Sequence, residues 1–63
     1  MTPQAKKVLD YVKLNGETYI EYIGYRLDIP VSSIRRCIHE IYKDLRSPYY
    51  LETQNGIVRA YRG

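Results

Sequence analysis

The architecture of this chain is set by the stretch IEYIGYRLDIPVSSIRRCI, residues 20–38, which reads as two short amphipathic helices joined by a tight turn. Apolar side chains recur every three or four residues on both sides of the turn, which is the spacing of one helix face. We therefore predict helices over about residues 19–28 and 31–46. Their apolar positions are Ile20, Ile23 and Leu27 in the earlier helix, and Ile34, Ile38, Ile41 and Leu45 in the later one, with Cys37 beside them.

Residues 20–38 resemble the helix-turn-helix of the winged helix-turn-helix superfamily, and this resemblance implies roles for two residues at the tight turn. Gly24 lies inside the earlier helix, where the absence of a side chain lets the later helix cross closely. Asp28 follows four residues later, at a position that needs a positive φ, and aspartate adopts that conformation more easily than most residues. We expect Leu27, Ile29 and Ile34 to supply the apolar contacts around the turn.

A further helix is predicted before this pair, over about residues 3–15. Thr2 suits its N-cap and Pro3 its first turn, where the missing N–H of proline costs nothing. Asn15 and Gly16 suit its end, because both tolerate the left-handed conformation found there. Its apolar positions are Ala5, Val8, Leu9 and Val12, and a short extended piece over about residues 17–19 follows it.

The hydrophobic period changes after Ser47-Pro48, the pair that we expect to end the third helix. Two strand-like runs flank Asn55-Gly56, the strongest short signal for a hairpin, because a type I′ turn needs positive φ at both central residues. We predict a β-hairpin over about residues 49–62 with its turn at 55–56. The expected cross-strand pairs are Thr53–Val58, Glu52–Arg59, Leu51–Ala60 and Tyr50–Tyr61, with Leu51, Val58 and Ala60 facing the core.

The order helix, helix, tight turn, helix, hairpin is that of the winged helix-turn-helix superfamily. Residues 20–38 closely resemble the helix-turn-helix of that superfamily. Residues 27–38 look like the matching stretch of several bacterial repressor families, including the biotin-repressor type. The segment Ala60-Tyr61-Arg62 is similar to the end of their wings, so the resemblance covers about residues 17–62. Asp28 departs from the usual glycine, and the link between third helix and wing is a few residues longer than usual.

This resemblance implies an α+β, mainly α-helical fold: a three-helix winged helix-turn-helix with a C-terminal two-stranded β-hairpin wing. With 63 residues, the chain has room for one domain at most, so we expect a single domain over residues 1–63. Ten Lys and Arg against seven Asp and Glu give a net charge of +3, which permits a polyanionic partner without requiring one.

Several functions are disfavoured by composition. Cys37 is the only cysteine, so the fold has no internal disulfide and no cysteine-based metal cluster, and a reducing, cytoplasmic setting is expected. No apolar run approaches the roughly 20 residues of a membrane span, and the first residues lack the apolar stretch of a signal peptide. Neither a pair of catalytic acids nor a phosphate loop is evident, so we predict neither an enzyme nor a bound cofactor.

The third helix is the predicted DNA-binding element, because a helix fits the major groove and side chains near its N-terminus reach base edges. No acid occurs between residues 32 and 39, so this half of the helix is basic. We expect Arg35 or Arg36 to bind a guanine edge. The other predicted DNA-binding residues are Ser32, Ser33 and His39 on the third helix, with Lys6, Lys7, Arg59 and Arg62 as phosphate contacts.

Each of these residues has a simpler alternative role. The two serines suit the start of a helix, where serine commonly caps. Arg36 and Glu40 are spaced i, i+4 and could form a surface pair, and Arg59 could serve only as the partner of Glu52. His39 could simply be a solvated surface histidine.

The function expected from these residues is that of a small, sequence-specific double-stranded DNA-binding protein, a transcriptional regulator of repressor-like type. One alternative is a winged-helix protein-interaction module, since fold does not fix function. Another is an architectural or recombination accessory factor. The expected partner is duplex DNA, with a second copy of the chain or another protein beside it, because so small a domain makes few DNA contacts. No membrane and no small-molecule effector is expected.

Overall fold

A computed structural model describes all 63 residues. The elements are α1 (Pro3–Asn15), β1 (Thr18–Tyr19), α2 (Ile20–Leu27), α3 (Val31–Lys43), β2 (Tyr49–Gln54) and β3 (Ile57–Arg62). The strands form one antiparallel sheet in the order β1-β3-β2. The predicted fold class is confirmed: a mainly helical α+β fold with the layout of a winged helix. None of the three helices has the length and apolarity that a membrane-crossing helix requires.

The core contains twelve buried side chains, and all of them are apolar. It lies where the three helices meet the inner face of the hairpin, to which Leu51 and Val58 belong. The buried residues are Ala5, Val8, Leu9, Val12, Ile20, Ile23, Ile29, Ile34, Cys37, Ile41, Leu51 and Val58. Leu27, Ile38 and Ala60, which were also predicted to be apolar contacts, are half-buried and pack against this cluster.

The predicted ends of α1 are confirmed by its caps. The Thr2 hydroxyl accepts a hydrogen bond from the backbone N–H of Ala5 at 3.2 Å, so one unpaired amide of the first turn is satisfied. Gly16 follows the helix with φ of 73°, a conformation that a side chain would strain.

The predicted turn between α2 and α3 is also confirmed. Asp28 adopts the left-handed conformation, with φ of 56° and ψ of 48°, and its N–H donates to the carbonyl of Gly24. A methyl group built on Gly24 would lie only 2.7 Å from the backbone oxygen of Ile29. Gly24 therefore sits at the close crossing that its position predicted.

The hairpin has the predicted register at every expected pair, and its turn residues Asn55 and Gly56 both have positive φ. The rings of Tyr50 and Tyr61 stack across it, with centroids 5.6 Å apart. The extended piece after α1 is a third strand, β1, paired with Ile57 and Val58 of β3. Two residues are too few to show the alternation that predicts a strand, so its pairing was missed.

One helix boundary was wrong. Helix α3 ends at Lys43 and not near residue 46, because the Asp44 carboxylate accepts a hydrogen bond from the N–H of Arg46 at 2.9 Å. Such local side-chain bonds compete with helical hydrogen bonds and favour a turn. Leu45, predicted to extend the apolar stripe, consequently lies in the link after α3 and is fully exposed.

Candidate nucleic-acid interface

The exposed side of α3 carries a row of basic and polar side chains. Because 3.6 residues make one turn, the spacing i, i+4, i+7 and i+11 places Ser32, Arg36, His39 and Lys43 along one line. Arg35 is next to this line, and all five side chains are exposed. We call these five residues the basic stripe.

Lys43 is the member of the basic stripe that the sequence interpretation missed. It lies in the last turn of α3, seven residues after Arg36 and four after His39. That spacing alone could have identified it, but the nearby acids Glu40 and Asp44 made this end of the helix look neutral.

Those two acids bind the first residues of the chain. One Glu40 oxygen accepts the backbone N–H of Thr2 at 2.5 Å, and the other accepts the Thr2 hydroxyl at 3.2 Å. Asp44 pairs with the ammonium group of Met1 at 3.3 Å. The hydrogen bond from the N–H of Arg46, assisted by that ammonium group, holds the pKa of the Asp44 carboxyl below its ordinary value. Both carboxylates therefore lie beside the N-terminus of α1, and none lies on the stripe.

The structure does not show the simpler roles considered for Ser33 and Arg36, which were a helix N-cap and a surface pair with Glu40. The residue before α3 is Pro30, and no side chain caps the helix, so neither Ser32 nor Ser33 is an N-cap. Ser33 is half-buried, and its hydroxyl accepts a hydrogen bond from the Arg36 guanidinium at 3.2 Å. Arg36 is thus held by Ser33, one turn earlier, and not by Glu40.

The α1 lysines are exposed and belong to a different helix from the basic stripe. Helices α1 and α3 pack through their apolar faces, to which Ala5 and Leu9 belong. Lys7 is two residues from each of these, which places it about 160° to 200° around the helix from them. Lys7 therefore lies on the side of α1 away from the apolar core, and neither Lys6 nor Lys7 forms a salt bridge.

The two hairpin arginines occupy different surroundings. Arg59 forms an ion pair with Glu17 at 2.6 Å, and this hydrogen bond raises the pKa of the guanidinium above its ordinary value. The partner is thus Glu17, just before β1, although Glu52 lies opposite Arg59 as predicted. Arg62 is exposed at the end of β3, opposite Tyr49.

Three tyrosines form a second exposed surface. Tyr19, Tyr22 and Tyr25 are 61%, 48% and 81% exposed at the start and outer side of α2. The rings of Tyr22 and Tyr25 lie 6.4 Å apart, and the Arg26 guanidinium lies 6.0 Å from the Tyr22 ring. We call Tyr19, Tyr22 and Tyr25 the tyrosine face. The sequence interpretation missed this surface, although the spacing of three residues signals one helix side.

Cys37 packs in the core and takes no part in either surface. Its side chain is 3% exposed, and its sulfur lies 3.6 Å from the amide oxygen of Gln4. Burial, with the nearby Glu40 carboxylate, raises the pKa of the thiol.

Comparison with protein-family models, with curated proteins and with solved structures finds no match to this chain. Its function is therefore inferred from the fold and from the position of its charges. Of the predicted DNA-binding residues, α3 brings Ser32, Arg35, Arg36 and His39 together, with Ser33 beside Arg36. Lys6, Lys7, Arg59 and Arg62 lie outside that group.

Proposed function

We propose that this protein is a winged helix-turn-helix DNA-binding protein that places α3 in the major groove and acts as a sequence-specific transcriptional regulator of repressor-like type. The observation that supports the proposal is the basic stripe, whose two neighbouring carboxylates bind Thr2 and the ammonium group of Met1. A regulator of this kind works in the cytoplasm, where a lone buried cysteine stays reduced.

The dimensions of the stripe fit this use. From Ser32 to Lys43 the helix rises about 16 Å, at 1.5 Å per residue. A helix with side chains is about 10–12 Å wide, and the major groove of B-DNA is about 12 Å wide. Arg35, Arg36 and Lys43 bring three positive charges to that surface, which suits a groove bordered by phosphates.

The members of the stripe take different roles in the proposal. Arg35 has no internal partner and is the best candidate to grip the O6 and N7 atoms of a guanine. Arg36, held by Ser33, is positioned for a neighbouring base or phosphate. His39 and Lys43 contact phosphates farther along the groove, and Ser32 contacts a phosphate near the start of α3. Lys6, Lys7 and Arg62 remain predicted phosphate contacts at its margins.

Salt dependence tests the proposal most directly. Five or so phosphate contacts give a slope of log affinity against log salt of about −4 to −5. Fluorescence anisotropy with a labelled random duplex, repeated at several salt concentrations, measures it. Undetectable duplex binding at low salt would refute the proposal.

Base reading is tested on a site selected from random duplex. One of the variants Arg35→Ala and Arg36→Ala removes the base-reading residue. That variant should weaken binding to the selected site by about 1–3 kcal/mol and relax specificity at one base pair. Lys13→Ala is the matched control, because Lys13 packs over the Tyr49 ring at 4.1 Å, outside the stripe. Equal losses on selected and scrambled duplex for both arginine variants would show that α3 does not read bases.

Glu40→Gln tests whether the carboxylates are turned away from the stripe. If Glu40 is bound to Thr2, the variant loses part of two hydrogen bonds near α1, about 0.5–1.5 kcal/mol each. Its stability should then fall, while its DNA affinity stays within about threefold of the parent, since the screened charge lies off the stripe. A gain in affinity of tenfold or more would instead mean that Glu40 neutralises Arg36.

A second candidate function is that of a protein-interaction module, and the tyrosine face is the observation that favours it. Tyrosine is enriched at protein interfaces, where its ring is buried and its hydroxyl finds a partner. In that case the chain has no affinity for duplex, and Tyr25→Ser weakens the binding of a protein partner whereas Arg35→Ala does not. Affinity measurements on both variants separate the two functions.

A further inference from the structure

We infer that this protein recognises duplex DNA from the major groove alone, and that its hairpin does not enter the minor groove. The inference rests on the proposed function, in which α3 binds the major groove. It assigns the recognised chemistry to the major-groove edges of a few consecutive base pairs, with a guanine O6 and N7 among them.

The tip of the hairpin is tied to the body of the protein. The carbonyl of Gly56, in the turn, accepts a hydrogen bond from the N–H of Ile20 at 2.8 Å. Ile20 is the first residue of α2, and its side chain is buried. The two-residue turn therefore lies against the start of α2 and does not project beyond the sheet as a finger.

The side chains at this tip carry no charge. Gln54 and Asn55 are the exposed residues there. Arg59 is three residues from Gly56, about 10 Å along the strand, and Arg62 is about 20 Å away. The minor groove is about 7.5 Å deep, so the backbone of both arginines would stay outside the groove even with the tip inserted.

The outer face of the sheet is also unsuited to the minor groove. Glu52 lies directly opposite Arg59, and directly opposed residues project from the same face of a sheet. Glu17 binds the same guanidinium from the other side. Two carboxylates and one guanidinium leave this face with a net charge of −1, whereas the minor groove has a negative potential that attracts inserted arginine and lysine.

The extent of the recognised site follows from the basic stripe. Its length of about 16 Å spans about five base pairs at 3.4 Å each. Within that span the major groove distinguishes all four base pairs, whereas the minor groove mainly separates A·T from G·C. A change confined to the minor groove should therefore leave binding unaltered.

Paired base analogues in a selected site test this inference with the whole chain. Inosine removes the minor-groove amino group of guanine and keeps O6 and N7, whereas 7-deazaguanine removes N7 from the major groove. We expect inosine at each guanine to change the Kd by less than twofold, and 7-deazaguanine at one guanine to raise it about tenfold. Netropsin, which occupies the minor groove of A·T runs, should not displace the protein.

The outcomes distinguish a failure of this inference from a failure of the proposed DNA-binding function. Duplex binding that inosine or netropsin weakens tenfold would overturn the inference and leave DNA binding intact. No duplex binding at low salt would overturn both.

Discussion

Substituting Gly24 should expose how closely α2 and α3 cross. The Cβ of Gly24→Ala would lie 2.7 Å from the backbone oxygen of Ile29 and 3.4 Å from the terminal methyl of Ile34. Even weak contacts between a carbon and an oxygen are about 3.3–3.6 Å long, so the turn has to move by more than half an ångström. The backbone there is fixed, because the carbonyl of Gly24 accepts the N–H of Ile29 at 3.0 Å.

Two opposing effects determine how much a substitution at Gly24 changes the free energy of unfolding. Replacing glycine by alanine inside an exposed helix ordinarily stabilises a protein by about 1 kcal/mol. Overpacking costs about 1–3 kcal/mol, so we expect Gly24→Ala to lower the free energy of unfolding by about 1 kcal/mol. Gly24→Val adds two carbons near Ile34 and Val31 and should cost about 3 kcal/mol. One kcal/mol corresponds to about 4–8 °C in Tm for a domain of this size.

Urea unfolding, followed by circular dichroism and tyrosine fluorescence, measures these differences. The matched control is Tyr25→Ala, at a position of the same helix that is 81% exposed, and its stability should stay within about 0.5 kcal/mol of the parent. Were Gly24→Ala as stable as the parent or more so, with an unchanged m-value, the close crossing at Gly24 would be refuted.

Three further predictions concern single side chains. Asp28→Ala should lower stability by about 1 kcal/mol, because alanine is strained at positive φ, whereas Asp28→Gly should not, and thermal unfolding of both variants checks this. Because the pKa of Asp44 is lower in the folded protein, its carboxylate stabilises the fold at pH values above its ordinary pKa of about 3.9. This stabilisation is lost as the pH falls through the lower pKa of the folded state. The stability of Asp44→Asn, measured by acid unfolding, should therefore depend less on pH below about pH 4 than that of the parent. The buried Cys37 thiol should react with iodoacetamide at pH 8 at least about tenfold more slowly than in denaturant, and equal rates would show that Cys37 is accessible.

Much of the fold could be predicted from the sequence because it depends on local chemistry. Asn55-Gly56 specifies both the turn and, through its length of two residues, the register of the whole hairpin. The turn at Asp28 and the close crossing at Gly24 were predicted from the resemblance of residues 20–38 to a helix-turn-helix. The exposed half of α3 followed from its apolar stripe, because burying one helix face exposes the other.

Two kinds of missed feature are a pairing between residues far apart in the chain and a local turn that competes with a helix. Strand β1 exists because β3 pairs with it, and the ion pair between Glu17 and Arg59 follows from that pairing. The end of α3 depends on a turn at Asp44 that competes with an otherwise continuous helical pattern. Neither competition nor distant pairing leaves a periodic signal in the sequence.

The link between packing and charge on α3 is the clearest case of such a distant effect. In the sequence, Glu40 and Asp44 follow the basic residues and should weaken their field, since an acid four residues from Arg36 ordinarily pairs with it. In the fold, Thr2 and the ammonium group of Met1 occupy these two carboxylates at the N-terminus of α1. Because α1 and α3 pack against each other in the core, this terminus comes alongside α3. Burial of the apolar core thus also affects the charge of the surface that α3 presents: Thr2 and Met1 bind the two carboxylates, whereas the side chains of Arg35 and Lys43 have no hydrogen bond or ion pair within the protein.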